Sequence, residues 1–283
     1  MSDKSIQWEW EIKPQTEWLG VSLKELFAYK DLLFRLVRKE FLTSYQQTLL
    51  GPFWVVLQPL LSVLIYVLVF GRVIGVSTEG VPPFLYYLTG ITLWNLFSDI
   101  FLGTATTFAG SAHLFSKVYF PRIIVPLSVM LLHSMRFLIQ LLLLVGFVLY
   151  YHIAGEIALP GFNALYALPV IITTAGIALG AGLICSVFTA KYRDLVPIMQ
   201  LTIRLLMFVC PIFYSFAIVP KKMQWVVMAN PLSSQFEFFR YAFLERGHLS
   251  GIQFLYSFVC MLLLIGFGVL LFNKIGDKLI DVI

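Results

Sequence analysis

The chain has few charged residues: Asp, Glu, Lys and Arg together make up 12% of its 283 residues. Hydrophobic residues account for 59%, and the mean hydropathy is +0.87. A soluble domain of this length could not hide so much apolar surface from water. The composition therefore excludes an ordinary soluble protein and predicts an all-α integral membrane protein, in which helices satisfy the backbone hydrogen bonds internally.

Motifs for nucleotide binding and catalysis are also missing. The sequence has no G-x-x-x-x-G-K-[ST] loop to hold phosphates, and residues 249–253 (LSGIQ) lack the second glycine of an ABC ATPase signature. It has no paired carboxylates, metal-ligand spacing or nucleophile elbow, and its four histidines are scattered. The three cysteines lie in apolar segments and are interpreted as small buried hydrophobic residues: Cys185, Cys210 and Cys260. We therefore expect a subunit that is not an enzyme and holds no metal or cofactor.

The N-terminal region lacks the short apolar core and cleavage site of a removable signal peptide, so we expect the first apolar span to act as an uncleaved anchor. Residues 1–21 form a predicted cytoplasmic arm. Within it, residues 6–12 (IQWEWEI) alternate apolar and polar side chains, as a short strand does. The tryptophan-rich part, residues 6–18, has no assigned role.

An amphipathic surface helix is predicted at 22–41, and with its connector this region covers 22–52. Ser22 and Glu25 form a capping box at its start. The charged side suits a helix lying on the membrane surface. The apolar face comprises Leu23, Leu26, Phe27, Leu33, Phe34, Val37 and Phe41. Two leucines interrupt the charged face, where they either contact a partner or stay exposed: Leu32 and Leu36.

Six apolar segments follow, each long enough to cross a ~30 Å hydrocarbon core as a helix. They form the predicted transmembrane domain, residues 53–283, with approximate spans at 53–74, 84–108, 123–150, 164–190, 196–218 and 252–273. With the N-terminus inside, nine Lys and Arg residues flank the inner ends and five flank the outer ends. This bias favours cytoplasmic termini, and it explains the net charge of +5 better than nucleic-acid binding does.

The segment 219–251 is too charged for a full span and too apolar for a free loop. Proline-containing breaks divide it into two short helices: Pro220, Asn230 and Pro231. We predict half-helices at about 221–229 and 232–245 that dip into the membrane from the outer side. Two helices lying flat on the surface are the alternative.

Three ionisable residues lie inside predicted spans, where charge is costly. At 1.5 Å per residue, Asp99 and Arg204 lie about 8 and 12 Å above the inner boundary, and Arg136 lies about 21 Å above it. These depths favour an Asp99–Arg204 pair. The pair either stabilises the helix packing or lines a wet path.

Aromatic residues recur every seven positions in the second span and so share one side of the helix: Tyr87, Trp94, Phe101 and Phe108. Either they pack against other helices, or they form a surface on which sugar rings stack. In the fourth span, Gly176 and Gly180 form a G-x-x-x-G face for close packing, within the chain or between two copies.

Three sequence blocks carry a family resemblance: residues 38–70, 113–126 and 210–240. In order and spacing they resemble the membrane subunit of type-2 ABC exporters of polysaccharides and polyol phosphates, such as O-antigen and teichoic acid exporters. The resemblance implies a homodimer in the bacterial inner membrane that works with two copies of a separate ATPase. That ATPase would bind ATP and Mg, and the cargo would be a lipid-linked glycan.

The resemblance also implies roles for particular residues. The surface helix would border the ATPase, and residues 112–121 would form a coupling helix in its cleft. The implied coupling residues are His113, Lys117, Tyr119, Pro121, Arg35 and Arg38. The implied outer gate comprises the half-helices at 221–245, with Pro220, Asn230, Pro231, Glu237 and Arg240. The aromatic stripe at Tyr87, Trp94, Phe101 and Phe108 would line the channel.

Three alternatives remain open from the sequence. In the first, the exporter carries another passenger, such as teichoic acid, capsule, a drug or a lipid. In the second, the chain is a membrane enzyme that processes glycans, although such an enzyme should cluster acidic residues at one membrane face. In the third, the chain is a bare scaffold or pore, which would not need a coupling segment.

Overall fold

A computed structural model describes residues 23–108, 110, 120–192, 194–247 and 250–280. The predicted arm at 1–21, with its strand at 6–12, lies outside these residues. So do three of the implied coupling residues: His113, Lys117 and Tyr119.

Every regular element in the described part of the chain is helical, which confirms the all-α class. The α-helices are α1 (Leu23–Ala28), α2 (Lys30–Tyr45), α3 (Trp54–Tyr66), α4 (Pro83–Ala105), α5 (Ile124–Ile153), α6 (Ala167–Lys191), α7 (Leu195–Val209), α8 (Gln224–Ala229), α9 (Pro231–Leu244) and α10 (Gly251–Ile280). Short turns of other helix types extend two of them. A π-helical segment at Val67–Val73 continues α3, and a 3-10 turn at Phe162–Tyr166 leads into α6.

Four helical segments are long and apolar enough to cross a membrane: Gly51–Val73, Ile124–Ile153, Phe162–Lys191 and Gly251–Lys274. They correspond to the first, third, fourth and sixth predicted spans. The helix at the fifth predicted span, α7, has only 15 residues and is shorter than the predicted span 196–218. It ends because Cys210, which precedes Pro211, takes an extended conformation, as residues before proline generally do. The count of six spans therefore remains a prediction.

Helix α4 is 23 residues long but is not among the apolar candidates, because polar residues interrupt it. Most of its side chains are buried, and it packs against α3, α5, α6, α7 and α9. Several of its polar groups are satisfied inside the protein. The Thr89 and Thr92 hydroxyls donate to carbonyls one turn earlier on α4, and Asn95 Nδ2 donates to Gln140 Oε1 at 3.1 Å. The helix is thus a polar centre enclosed by apolar helices.

Glycines bring α6 and α10 into close contact. A Cβ added to Gly180 would lie 2.6 Å from the backbone nitrogen of Ile265, and one added to Gly268 would lie 2.7 Å from the Gly180 carbonyl oxygen. A Cβ on Gly176 would lie 2.5 Å from Met261 Sδ. The predicted G-x-x-x-G face is therefore used within the chain, against α10.

The surface helix differs from its prediction in two ways. It is interrupted at Tyr29, and α2 continues to Tyr45. The leucines expected on the polar face, Leu32 and Leu36, instead pack on a small cluster at the start of α5. That cluster comprises Phe120, Ile124 and Val125, with Leu26, Tyr29 and Leu33 against it. The face that packs against α5 is therefore rotated around the helix axis relative to the predicted apolar face. As a result, Phe27 and Phe34 of the predicted apolar face are exposed.

We expect Gly180→Ala to destabilise the protein, since the new methyl group has no space against the α10 backbone. Overpacking of this kind costs about 1–3 kcal/mol. Thermal unfolding in detergent measures the effect. Gly146→Ala on α5 is the matched control, because a Cβ there meets nothing within 4 Å. Equal melting temperatures for the two variants would contradict the close packing of α6 on α10.

Candidate functional site

A buried ion pair on α9 contacts the segment that follows α7. Arg240 is 1% exposed and Glu237 is 4% exposed. Arg240 Nη1 donates to Glu237 Oε1 at 2.9 Å, and Nη2 donates to the Pro211 carbonyl at 2.7 Å. The Arg240 guanidinium carbon also lies 4.0 Å from the centre of the Tyr86 ring. Three segments of the chain therefore meet at one guanidinium group.

The family resemblance implies Glu237 and Arg240 as gate residues, but nothing in the sequence indicates Tyr86 or Pro211. Tyr86 is buried on α4 beside Tyr87, which lies in the predicted stripe. The seven-residue spacing selected Tyr87, and only the packing of α9 on α4 identifies Tyr86 as the cation–π partner. The Pro211 carbonyl lies at the break after α7, where no helical hydrogen bond uses it. A sequence pattern cannot locate such a backbone acceptor.

The other implied gate residues organise the start of α9. Asn230 Oδ1 accepts a hydrogen bond from the Leu232 backbone at 3.0 Å, so Asn230 caps the helix, and Pro231 is its first residue. Asn230 Nδ2 donates to Cys210 Sγ at 3.2 Å. Pro220 begins the preceding turn, where its carbonyl accepts from the Met223 backbone at 2.8 Å. These residues fix the shape of the segment rather than present a binding surface.

The intramembrane charges do not pair as predicted. Asp99 Oδ2 lies 3.8 Å from His133 Nδ1 on α5, and Arg136, one turn further along α5, interacts electrostatically with Asp99. Arg204 is exposed on α7 and forms no ion pair with any described residue. The depth estimated for Arg136 was wrong because α5 has 30 residues and is about 45 Å long. Such a helix extends beyond the hydrocarbon core, so the distance of Arg136 from the first residue of α5 does not give its depth.

Arg136 also links α5 to the surface helix. Its guanidinium carbon lies 5.5 Å from the centre of the Tyr45 ring, at the end of α2. Between α2, α4 and α5 lies a cavity of about 250 Å³ with mixed polar and apolar walls. Its polar lining comprises Lys39, Glu40, Thr106, Thr107, Ser128 and His133. The surface helix is thus joined to the membrane helices at two points, the leucine cluster and Tyr45.

The predicted channel-lining residues are buried within the chain. Tyr87, Trp94, Phe101 and Phe108 are all at most 9% exposed. Trp94 lies 6.4 Å from Phe236 of α9 between ring centres, and Phe108 stacks on Phe272 of α10 at 4.5 Å. In this conformation they do not line a path, and the packing alternative is favoured. Helix α4 is enclosed on most sides, so its aromatic face meets neighbouring helices.

The implied coupling residues are only partly described. Arg35 and Arg38 are exposed on α2, on the side away from α5. Pro121 precedes α5, and its carbonyl accepts from the Ile124 backbone at 3.0 Å. The structure therefore leaves both arginines accessible to a partner, while their role in coupling remains a prediction.

Together these features define a multi-pass helical membrane protein with a basic surface helix tied to its membrane helices. Groups of three or more metal-ligating side chains do not occur among the described residues. A comparison with known families matches residues 31–244 to the family described as ABC-2 type transporter. The chain belongs to this family, which is one of transport permeases.

Individual relatives are similar over nearly the whole chain. An O-antigen export system permease protein RfbA from Klebsiella pneumoniae is 27% identical over 259 residues, which cover 89% of this chain and 95% of the relative. A second RfbA protein from the same organism is 27% identical over 94% of this chain and 100% of the relative. An RfbA protein from Myxococcus xanthus is 27% identical over 79% of this chain and 84% of the relative.

We expect Arg240→Met to lower the stability strongly, because Glu237 would keep a buried charge that Arg240 no longer neutralises. Breaking a buried pair from one side typically costs about 3–5 kcal/mol. Arg246→Met is the matched control, since Arg246 is exposed beyond the end of α9 and such surface changes stay within about 0.5 kcal/mol. Thermal unfolding in detergent compares them. A loss for Arg240→Met no larger than the control's would show that the pair does not hold α9 in place.

Proposed function

We propose that the chain is the membrane subunit of an ATP-driven exporter that moves a lipid-linked polysaccharide, such as O-antigen, from the cytoplasm across the bacterial inner membrane. The observation that carries this proposal is the similarity to O-antigen export permeases over 89% and 94% of the chain. A likeness confined to the membrane spans would reflect composition, whereas this one extends through the surface helix and the gate segment. Exporters of teichoic acid, capsule, drugs or other lipids are the competing assignments.

The working unit we propose is a homodimer with two copies of a cytoplasmic ABC ATPase, which binds the ATP and Mg. Both termini of the chain would lie in the cytoplasm. The surface helix α2 would then face the ATPase with Arg35 and Arg38, which are exposed. The leucines on its other side pack on the first turn of α5, so a push on α2 is delivered to a membrane helix.

The same push would reach α4 and the outer side. Tyr45 at the end of α2 contacts Arg136, which in turn interacts with Asp99 on α4. At the other end of α4, Tyr86 contacts Arg240 of α9, one of the two helices proposed as the outer gate. A shift of α4 along its axis would therefore act on α9 through this cation–π contact and through the packing of Trp94 on Phe236. This route needs no contact between the ATPase and the outer side.

Export in a strain that lacks the chromosomal copy tests the function. We expect the deletion to abolish surface glycan and to leave the lipid-linked glycan on the cytoplasmic side of the inner membrane. The parent gene should restore export. Accumulation of a different lipid-linked polymer, or of none, would contradict the proposed cargo.

The coupling residues are tested in the same strain. We expect Arg35→Glu, Lys117→Glu and Tyr119→Asp to lower surface glycan at least tenfold, because each places negative charge on the proposed ATPase contact. The variant chains should be present in the membrane at parental levels, but less ATPase should co-purify with them. Arg72→Glu is the control, an exposed charge at the predicted outer end of the first span. Normal export by all three coupling variants would refute the coupling surface.

A further inference from the structure

Arg204 occupies an unusual place for a charged residue. It lies on α7, a largely apolar helix whose only buried residue is Ile203. Its neighbours Leu201, Leu205 and Phe208 are each more than half exposed, and Arg204 is exposed with them. Among the described residues, no ion pair or side-chain hydrogen bond satisfies its guanidinium group. The chain by itself therefore leaves this charge on an outer face.

Arg204 lies in the interior of α7, within the fifth predicted span. It follows Leu195, the first residue of α7, by nine residues, or about 14 Å. At the other end of α7, the Phe208 ring lies 5.6 Å from Phe213, which lies 6.4 Å from Tyr87, one turn into α4. Arg204 is one further turn below Phe208, and it precedes Val209, the last residue of α7, by five residues, or about 8 Å. It is therefore flanked by at least one helical turn of α7 on each side.

A charge at this depth does not face lipid without a large cost, and intramembrane charges almost always face a protein interior or water. The surface around Arg204 is accordingly not purely apolar. Gln200, one turn earlier on the same side of α7, is exposed, and so is Gln58 on α3. The carboxyl ends of these two helices meet at Phe213, which lies 4.8 Å from Tyr66 and 5.6 Å from Phe208. Two neighbouring helices thus both carry exposed polar side chains at membrane depth.

We propose that Arg204 lines the wet path of the exported molecule and binds its phosphate groups. The proposal rests on the proposed function, since lipid carriers are joined to glycans through phosphate esters. A guanidinium group offers a rigid set of N–H donors that matches phosphate oxygens. In a symmetric dimer two copies of Arg204 would lie along one path, and an anion between them would offset their mutual repulsion. Gln58 and Gln200 would supply neutral hydrogen bonds for hydroxyl groups.

Thiol labelling tests whether Arg204 faces water. The complex with its ATPase, carrying Arg204→Cys, is treated in membrane vesicles with a charged, membrane-impermeant thiol reagent. The parent chain with its three cysteines gives the background. Leu263→Cys is the control for a lipid-facing position, because Leu263 is 67% exposed on the apolar helix α10. We expect strong labelling at position 204 and none at 263. No labelling at position 204 would overturn the proposal, because the side chain would then face lipid or protein rather than water.

Protection of the same thiol tests the ligand. Farnesyl diphosphate is added before the reagent, with farnesol and inorganic diphosphate in parallel samples. We expect farnesyl diphosphate to slow labelling at position 204 at least fivefold and farnesol to leave it unchanged. Protection by inorganic diphosphate alone identifies the phosphate groups as sufficient. Equal protection by farnesol and farnesyl diphosphate would show that the lipid tail occupies the site and would overturn a phosphate contact.

Charge variants give a second readout. Farnesyl diphosphate is titrated against the ATP hydrolysis of the reconstituted complex. We expect Arg204→Gln to raise the half-saturating concentration at least tenfold and Arg204→Lys to raise it less. Arg72→Gln, at an arginine that is also exposed and lies near the outer end of the first span, should match the parent. An unchanged Arg204→Gln complex would refute the site. The two proposals can fail separately. If the parent gene restores no glycan export, the proposed cargo is wrong. The anion site would still be supported if the thiol of the Arg204→Cys variant is labelled and diphosphate protects it.

Discussion

A polar helix that must be kept out of lipid is the constraint on which the rest of the structure depends. Helix α4 carries Thr89, Thr92, Asn95 and Asp99 along a stretch at membrane depth. Unsatisfied polar groups cost several kcal/mol each in hydrocarbon, so the surrounding helices have to enclose α4 and supply its partners. Gln140 of α5 does so directly, and the glycines of α6 allow α10 to close the bundle behind it.

The placement of charge follows from the same constraint. At one end of α4, Arg240 and Glu237 neutralise each other under the Tyr86 ring, and at the other end Asp99 lies between His133 and Arg136. Both clusters join α4 to a helix that we assign to the transport cycle, α9 at the gate and α2 at the ATPase. Arg204 is the exception, because no residue in the described part of the chain pairs with it. A permease that works only in an assembly is expected to leave some groups unsatisfied in the isolated subunit.

The membrane helices could largely be predicted from the sequence. Apolar length gave the bounds of α5 and α6 and the start of α10 within a few residues, although α10 continues seven residues beyond the predicted end. Pro220 and Asn230-Pro231 marked the breaks around α8 and α9. Side-chain partners could not be predicted in this way. The wheel for α2 assigned Leu32 and Leu36 to a polar face because it contains no neighbour, yet α5 covers them. The seven-residue spacing of the aromatic residues likewise shows that Tyr87 and Trp94 lie on the same side of the helix. It does not show whether that side faces water or another helix.

Transport in proteoliposomes is the most direct test of whether the chain is a passive conduit driven by another subunit. The purified chain, alone or with its ATPase, would be reconstituted with a lipid-linked glycan, and transfer of the glycan across the bilayer would be followed with and without ATP. We expect transfer only when the ATPase and ATP are both present, and no ATP hydrolysis by the chain alone. Nucleotide hydrolysis or glycan transfer by the chain without its partner would contradict this mechanism.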